Sequence, residues 1–186
     1  MTDLAPLTAL GAAAPRVTRL GSFTLSENAD LALASLALRR GGETPAPFGL
    51  ALPGPAGWTA GEGVAAFWTG PGQWMVEAPG RAAEDFAAAL RAEAPGASVT
   101  EQTDGWTAVE IVSAAGEGLA ERLLAKLVNL DPASLVPGRA RRTGLEHMGV
   151  FVIRRAPEHF AVLGARSSAA SLWHALEAAA GRIAAA

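Results

Sequence analysis

The chain has no cysteine and no tyrosine, and Lys126 is its only lysine. Without cysteine there can be no disulfide, thiolate zinc site, cysteine-ligated iron–sulfur cluster or cysteine nucleophile. The formal net charge is −3, and no run of like charges stands out. A nucleic-acid binder needs an electropositive face, so that class is set aside. No apolar run reaches the length of a membrane span, and no membrane partner is expected. The first residues, MTDLAPLTALGAAAPRV, carry an early acid, two prolines and no basic start. That is not a signal peptide, and a cytoplasmic location is the expectation. The sequence has no GxGxxG, no P-loop and no GxSxG, so the glycine-rich stretches 57–63 and 70–74 read as turns.

The C-terminal half repeats the middle. Leu52-Pro53-Gly54 precedes FWTGPGQWMVEAPG (67–80) and the helical pattern at 82–94, and Val136-Pro137-Gly138 precedes HMGVFVIRRAPEHFAVLGAR (147–166) and a helical pattern at 167–180. Both read as strand, turn, strand, helix. Two such units at near-constant spacing predict one domain of two pseudo-repeated lobes. The reading is an extended arm over 1–15, then a single two-lobed domain over 16–186, with lobes at about 34–96 and 97–181.

Residues 16–25 and 35–40 read as strands, and 43–50 as a turn or short helix. Pro53, Gly54, Pro55, Gly57, Gly61 and Gly63 predict a loop over 52–63. Strands are expected at 64–69 and 73–77 around Gly70-Pro71-Gly72, and at 97–102 and 106–112. A second hairpin is expected from 141–154 and 158–166. The helix at 117–129 shows a continuous stripe of Leu119, Ala120, Leu123, Leu124, Leu127 and Val128. Ser167 is the expected N-cap of the last helix, with Leu172, Leu176, Ala179 and Ile183 on its buried face. Helices alternating with strand pairs predict an α+β fold, mostly antiparallel, with helices on one face of each sheet.

Reactive constellations are scarce. His147, His159 and His174 have no second histidine at ligand spacing, so no metal site is expected. The acid pairs Glu84-Asp85, Glu101 with Asp104, and Glu117 with Glu121 fit helix starts and solvated faces better than acid–base chemistry. No catalytic residue is assigned. Trp68, Trp74 and Trp106 read as core. Trp58 lies in the Pro/Gly loop with no periodic pattern to bury it. Together with the densest basic cluster, Arg139, Arg141 and Arg142, it is the candidate partner interface, because Trp and Arg combine large contact area with directed donors. That cluster could form a phosphate or carboxylate fork, but a solvated strand entrance or a partner-facing edge is the favoured reading.

Three blocks carry a resemblance. WTGPGQWMVEAPG (68–80) resembles the LGPDEWLL-type hairpin of the gamma subunit of heterotetrameric sarcosine oxidase. LLAKLVNLDPASLVPGRARRTGLEHMGVFVIRR (123–155) and FAVLGARSSAASLWHALEAA (160–179) are similar to that family in order and spacing. The match runs from about residue 34 to 181. The resemblance implies an aminomethyltransferase folate-binding fold of two repeated ferredoxin-like lobes. It implies a complex that oxidatively demethylates sarcosine to glycine, makes hydrogen peroxide and passes the one-carbon unit to tetrahydrofolate. FAD, FMN, NAD and tetrahydrofolate are then expected on the larger subunits, with no cofactor in this chain. The gamma subunit is an accessory piece docked on alpha, beta and delta subunits, so no catalytic residue carries over. The rival is an independent folate-binding aminomethyltransferase-like protein. Related iron–sulfur assembly factors carry a KGCYxGQ-like motif, which a chain without cysteine lacks. Asp104 and Glu110 lie near the strand where a pterin-gripping acid would be sought, but match no family pattern.

Overall fold

The computed structural model describes residues 5–185, so residues 1–4 of the expected arm lie outside it. Residues 17–27 form a hairpin, β1 (Val17–Leu20) and β2 (Phe23–Glu27), where a single strand was expected. Gly21 makes the turn at φ 56°, and a Cβ there would lie 2.9 Å from Ala184 Cβ, so both the conformation and the close approach call for glycine. The chain continues through β3 (Leu31–Leu38), β4 (Trp58–Ala60), β5 (Ala65–Gly70), β6 (Gln73–Pro79), α1 (Phe86–Glu93) and β7 (Ala97–Glu101). It ends with β8 (Trp106–Ser113), α2 (Glu117–Leu127), β9 (Arg139–Leu145), β10 (Met148–Ala156), β11 (His159–Ala165) and α3 (Ala169–Ala184).

Two antiparallel sheets result, ordered β1-β2-β8-β11-β10-β9 and β4-β5-β6-β3-β7. Period-two alternation gives each strand two faces, and on the central strands β3, β6, β8, β10 and β11 both are largely buried. On β8, Val109 and Ile111 pack outward with Leu123 and Leu124 of α2 and Leu172 and Leu176 of α3. On β6, Trp74 and Val76 pack outward with Phe86 and Leu90 of α1. The inward faces meet each other: Leu31, Leu33, Phe67 and Met75 of one sheet against Phe151, Ile153, Ala161 and Leu163 of the other. Phe67 and Phe151 touch across this seam, with ring centroids 5.0 Å apart. The architecture is α+β: helices, sheet, sheet, helices.

The duplication is visible in the topology. Each sheet contains the same four-strand arrangement, β7-β3-β6-β5 in one and β2-β8-β11-β10 in the other. It is the order expected of a βαββαβ unit. In the first lobe, residues 39–57 with a single 3-10 turn at Pro47–Gly49 stand where the second lobe has α2. Sheet membership divides the chain differently from the expected boundary at 96/97. Strand 97–101 pairs with β3 in the first lobe, and the second lobe completes its sheet with β2 from the N-terminal side.

Several local expectations are corrected. The predicted loop over 52–63 contains β4, because Trp58 pairs opposite Phe67 despite its Pro/Gly surroundings. The predicted strand 141–154 is two strands. Its turn residues, Glu146 and His147, both have positive φ (44° and 69°). Glycine or asparagine normally marks such a turn, and neither is present. Ser167 is not the N-cap of α3: residues Arg166–Ser168 form a 3-10 turn, and Ser168 takes the N-cap position without a side-chain bond. Asp85 is the N-cap of α1, accepting the Ala88 N–H at 2.9 Å.

The stripe on α2 is core, with Leu123 fully enclosed and Leu127 half-buried. Leu123→Ala should therefore cost about 2–5 kcal/mol and Leu127→Ala distinctly less. Denaturant unfolding of the two variants checks this, and equal costs would contradict the packing described.

Candidate functional site

The structure brings some of the expected interface residues together and separates others. Trp58 N–H donates to the Gly138 carbonyl at 2.8 Å, and Gly57 bridges Arg139. The Pro/Gly segment and the start of β9 are therefore adjacent, rather than projecting from two distant lobes. The arginines do not form one cluster. Arg142 pairs opposite Phe151 and lies over its ring at 6.0 Å, on the inward face. Arg139 and Arg141 alternate to the helix-covered face, where Arg141 Nε donates to Ser134 O at 3.1 Å. Arg139 and Arg142 are exposed, and Arg141 is half-buried.

Trp58 is not a free loop anchor. Its ring packs against the seam between the sheets and carries the Arg155 guanidinium at 5.4 Å. This places it beside a group of charged residues that the sequence reading did not assemble. Arg155 NH1 donates to Glu77 Oε2 at 2.7 Å, and its Nε and NH2 hold both oxygens of Glu110 at 3.0 and 3.1 Å. Glu77 belongs to one sheet, and Glu110 and Arg155 to the other, so one guanidinium ties the lobes together. His159 Nε2 lies 2.9 Å from Glu110 Oε2, and Asn28 Nδ2 donates to Glu110 Oε1 at 3.1 Å. A signal for the cluster was present: Phe151, Ile153 and Arg155 share one strand face, as do Met75 and Glu77. A charge at the end of an apolar face demands a partner.

The two carboxylates respond oppositely. Burial pushes Glu77 upward more strongly than Arg155 lowers it, and its pKa is raised. Its Oε1 has no hydrogen-bond partner, nor has Trp58 Nε1, whose N–H acts on the Glu77 carboxylate from outside hydrogen-bond geometry. Burial also pushes Glu110 up, but His159, Arg155 and Asn28 together outweigh it and bring it from 4.5 to about 2. Burial acts to lower Arg155, but the two glutamates prevail and its pKa is raised. The cluster ties the sheets together through three charge-assisted bonds from one guanidinium, one to Glu77 and two to Glu110.

A separate cavity of about 320 Å³ opens at another part of the seam. Leu31, Leu33 and Trp106 contribute apolar walls, and Asp30, Asp104 and Arg166 polar ones. The N-terminal arm borders it and is tethered. The buried Glu27 carboxylate accepts Leu10 N–H at 3.1 Å and Arg16 N–H at 3.2 Å, while Arg166 donates to Leu7 O at 2.9 Å. Of the two acids considered for a pterin, Asp104 lines this cavity, whereas both oxygens of Glu110 are engaged in the ion network. Glu101 is a structural staple: burial pushes it up, but bonds from Thr103, Ala87 and Gln102 lower its pKa overall. Among the described residues no group of histidine, aspartate and glutamate could hold a metal, and no helix is long and apolar enough to cross a membrane.

No protein-family model matches the chain, and no curated protein matches its sequence. Solved structures do match. A chain of the heterotetrameric sarcosine oxidase from Corynebacterium sp. U-96, in complex with pyrrole 2-carboxylate, superposes with a TM-score of 0.74. Identity is 23%, over 91% of this chain and 89% of that one. The two chains share one fold. The glycine cleavage system aminomethyltransferase T from Bartonella henselae superposes with a TM-score of 0.57 at 14% identity, over 82% of this chain and 44% of that one. The present chain thus spans less than half of that aminomethyltransferase. The fold common to the sarcosine oxidase chain and the aminomethyltransferase agrees with the two ferredoxin-like lobes described above.

Two sets of outcomes are expected, the first at the ion network. Arg155→Met leaves two acids buried without their cation and should cost about 3–5 kcal/mol at neutral pH. In the intact protein, Glu110 contributes stability above pH 4.5 that is lost as pH falls towards its folded value of about 2. Glu77, displaced upward, has the opposite sign: its contribution is present in acid and lost as pH rises through its raised pKa. Melting curves of Glu110→Gln should therefore fall less steeply than wild type below pH 4.5, and parallel curves would refute the assignment. The second set concerns the cavity. Titration of the isolated chain with folinic acid, or with FMN, should give no saturable heat, and a micromolar signal for folinic acid would assign the cavity to a pterin.

Proposed function

We propose that this chain is the accessory gamma-type subunit of a flavin-dependent, cytoplasmic heterotetrameric sarcosine oxidase. Its role is structural: it presents a rigid two-lobed surface to alpha, beta and delta subunits. Those larger subunits carry FAD, FMN, NAD and tetrahydrofolate and perform the oxidative demethylation of sarcosine to glycine. The observation that carries this reading is reciprocal length. The match to the sarcosine oxidase chain runs nearly end to end on both partners, whereas the aminomethyltransferase is matched over 44% of its length. The three sequence blocks that resemble the gamma family support it. They fall on β5–β6, on α2 through β10, and on β11 with α3, which are the elements that build the two sheets and their helices. The ion network at Arg155 suits such a role, because it fixes one lobe against the other.

The rival reading, an independent folate-binding aminomethyltransferase-like protein, draws on the second structural match and on the cavity beside Asp104. Co-expression with the alpha, beta and delta subunits of a heterotetrameric sarcosine oxidase separates the two. The subunit reading expects one complex on gel filtration. It also expects Arg139→Glu with Arg142→Glu to reduce the co-purified partner about tenfold or more, with circular dichroism of the free variant unchanged. Trp58→Ala is a poor probe, since Trp58 belongs to the seam and its loss disturbs the fold itself. Wild-type assembly by the double variant, or no complex at all, would overturn the proposal.

A further inference from the structure

Strand β9 ends the six-stranded sheet, and half of its outer edge is already paired. Trp58 N–H donates to Gly138 O at 2.8 Å and Ala140 N–H to Ala56 O at 3.0 Å. The ladder then stops. Pro53-Gly54-Pro55 carries the chain away through a turn closed by Gly57 N–H to Gly54 O at 2.9 Å. Alternation along β9 points the N–H and C=O of Arg142 and Gly144 outward, as it does the N–H of Ala140. Among the described residues these groups have no backbone partner. Both residues are exposed, and a Cβ built on Gly144 meets nothing within 4 Å, so no neighbouring group stands over the strand at that position.

The charged side chains of β9 itself are all of one sign, and the nearest acid in the chain, Glu146, lies in the turn beyond the strand. Arg142 lies on the inward face, Arg139 and Arg141 on the other, so a strand laid against β9 meets cations on both of its faces. A second copy of β9 would set arginine against arginine, which disfavours self-pairing. The other ends of the sheets lack this combination. Strand β1 is packed against α3 and carries the single basic residue Arg19, β4 (Trp58–Ala60) carries none, and β7 carries none and ends in Glu101.

We propose that the Arg142–Gly144 edge of β9 accepts an extended acidic segment of a protein partner, which continues the ladder begun by residues 56–58. Backbone bonds from Arg142 and Gly144 supply the docking, and the three arginines select glutamate- or aspartate-bearing strands. This rests on the reading of the chain as a docked subunit and adds how the docking is made.

The probe is a short fluorescein-labelled peptide of threonine, valine and glutamate with glutamates on both faces. Its counterpart replaces each glutamate by lysine. Fluorescence polarisation should rise with the acidic peptide and not with the basic one. Amide exchange at Arg142 and Gly144 of the unaltered protein should slow when the acidic peptide is bound. Gly144→Pro removes one outward donor without breaking a bond inside the sheet, as proline is tolerated at such edge positions. It should weaken the peptide about tenfold. Arg139→Glu with Arg142→Glu should reverse the peptide preference. Unchanged exchange at Arg142 and Gly144, no polarisation change, or a Gly144-independent dimer would overturn the proposal. If the proline variant melts, the exchange measurement decides alone. Loss of co-purified subunit in the arginine variant but not in Gly144→Pro would leave the subunit reading standing and remove strand addition. Acidic-peptide binding without any complex would do the reverse.

Discussion

Everything in this fold turns on one guanidinium. The two sheets meet through an apolar seam in which Phe67, Phe151, Met75 and Ile153 supply the bulk and Ala108, Ala140 and Ala161 the close approach. Arg155 crosses that seam and satisfies acids from both sides, Glu77 on one sheet and Glu110 on the other. A buried ion pair adds little net stability over an apolar one, because desolvation offsets the attraction. What it adds is geometry. An apolar seam can slide by a residue at small cost, whereas a bidentate guanidinium tolerates one register. The lobes are held in a single relative orientation, which suits the docking role proposed above.

Arg154, the next residue, makes the same kind of contact on the opposite face. It is buried and donates to the carbonyls of Ala156 and Pro157 and to Glu117 of α2. The pair Arg154-Arg155 thus uses strand alternation to tie β10 both to its covering helix and to the facing sheet. Arginine suits both places, since its fork holds several acceptors at once, and this agrees with a basic composition that is almost wholly arginine.

Much of the fold was legible because its signals are local. The apolar stripe of α2, the Gly70-Pro71-Gly72 turn and the repeated strand–turn–strand–helix pattern each lie within a short window. What stayed hidden was non-local or chemically atypical. Strand β4 is disguised by its glycines and prolines and exists because β5 and β9 offer it partners. The Glu146-His147 turn carries neither of the residues that usually announce positive φ. The ion network joins Glu77 to Arg155 across the whole domain, and only its oddity, charge at the end of an apolar face, was visible beforehand. The arginines of β9 looked like one patch in sequence, and the pleat divides them between two faces.

The N-terminal hairpin deserves a last consequence. Strand β2 fills the place in the second lobe that β7 fills in the first, although it precedes both lobes in the chain. During synthesis it emerges before β8, the strand it pairs with beyond its own hairpin, and waits for the whole first lobe to follow. The first lobe can close meanwhile, so the order of synthesis runs through the first lobe and then back to the beginning of the chain. A cut near residue 101 leaves the first sheet with all five of its strands but takes β2 from the second, because the strand that completes the second lobe lies on the far side of the first. The duplication is therefore one of shape and not of independence: the first unit is continuous in the chain, and the second is closed only by a strand carried ahead of the first.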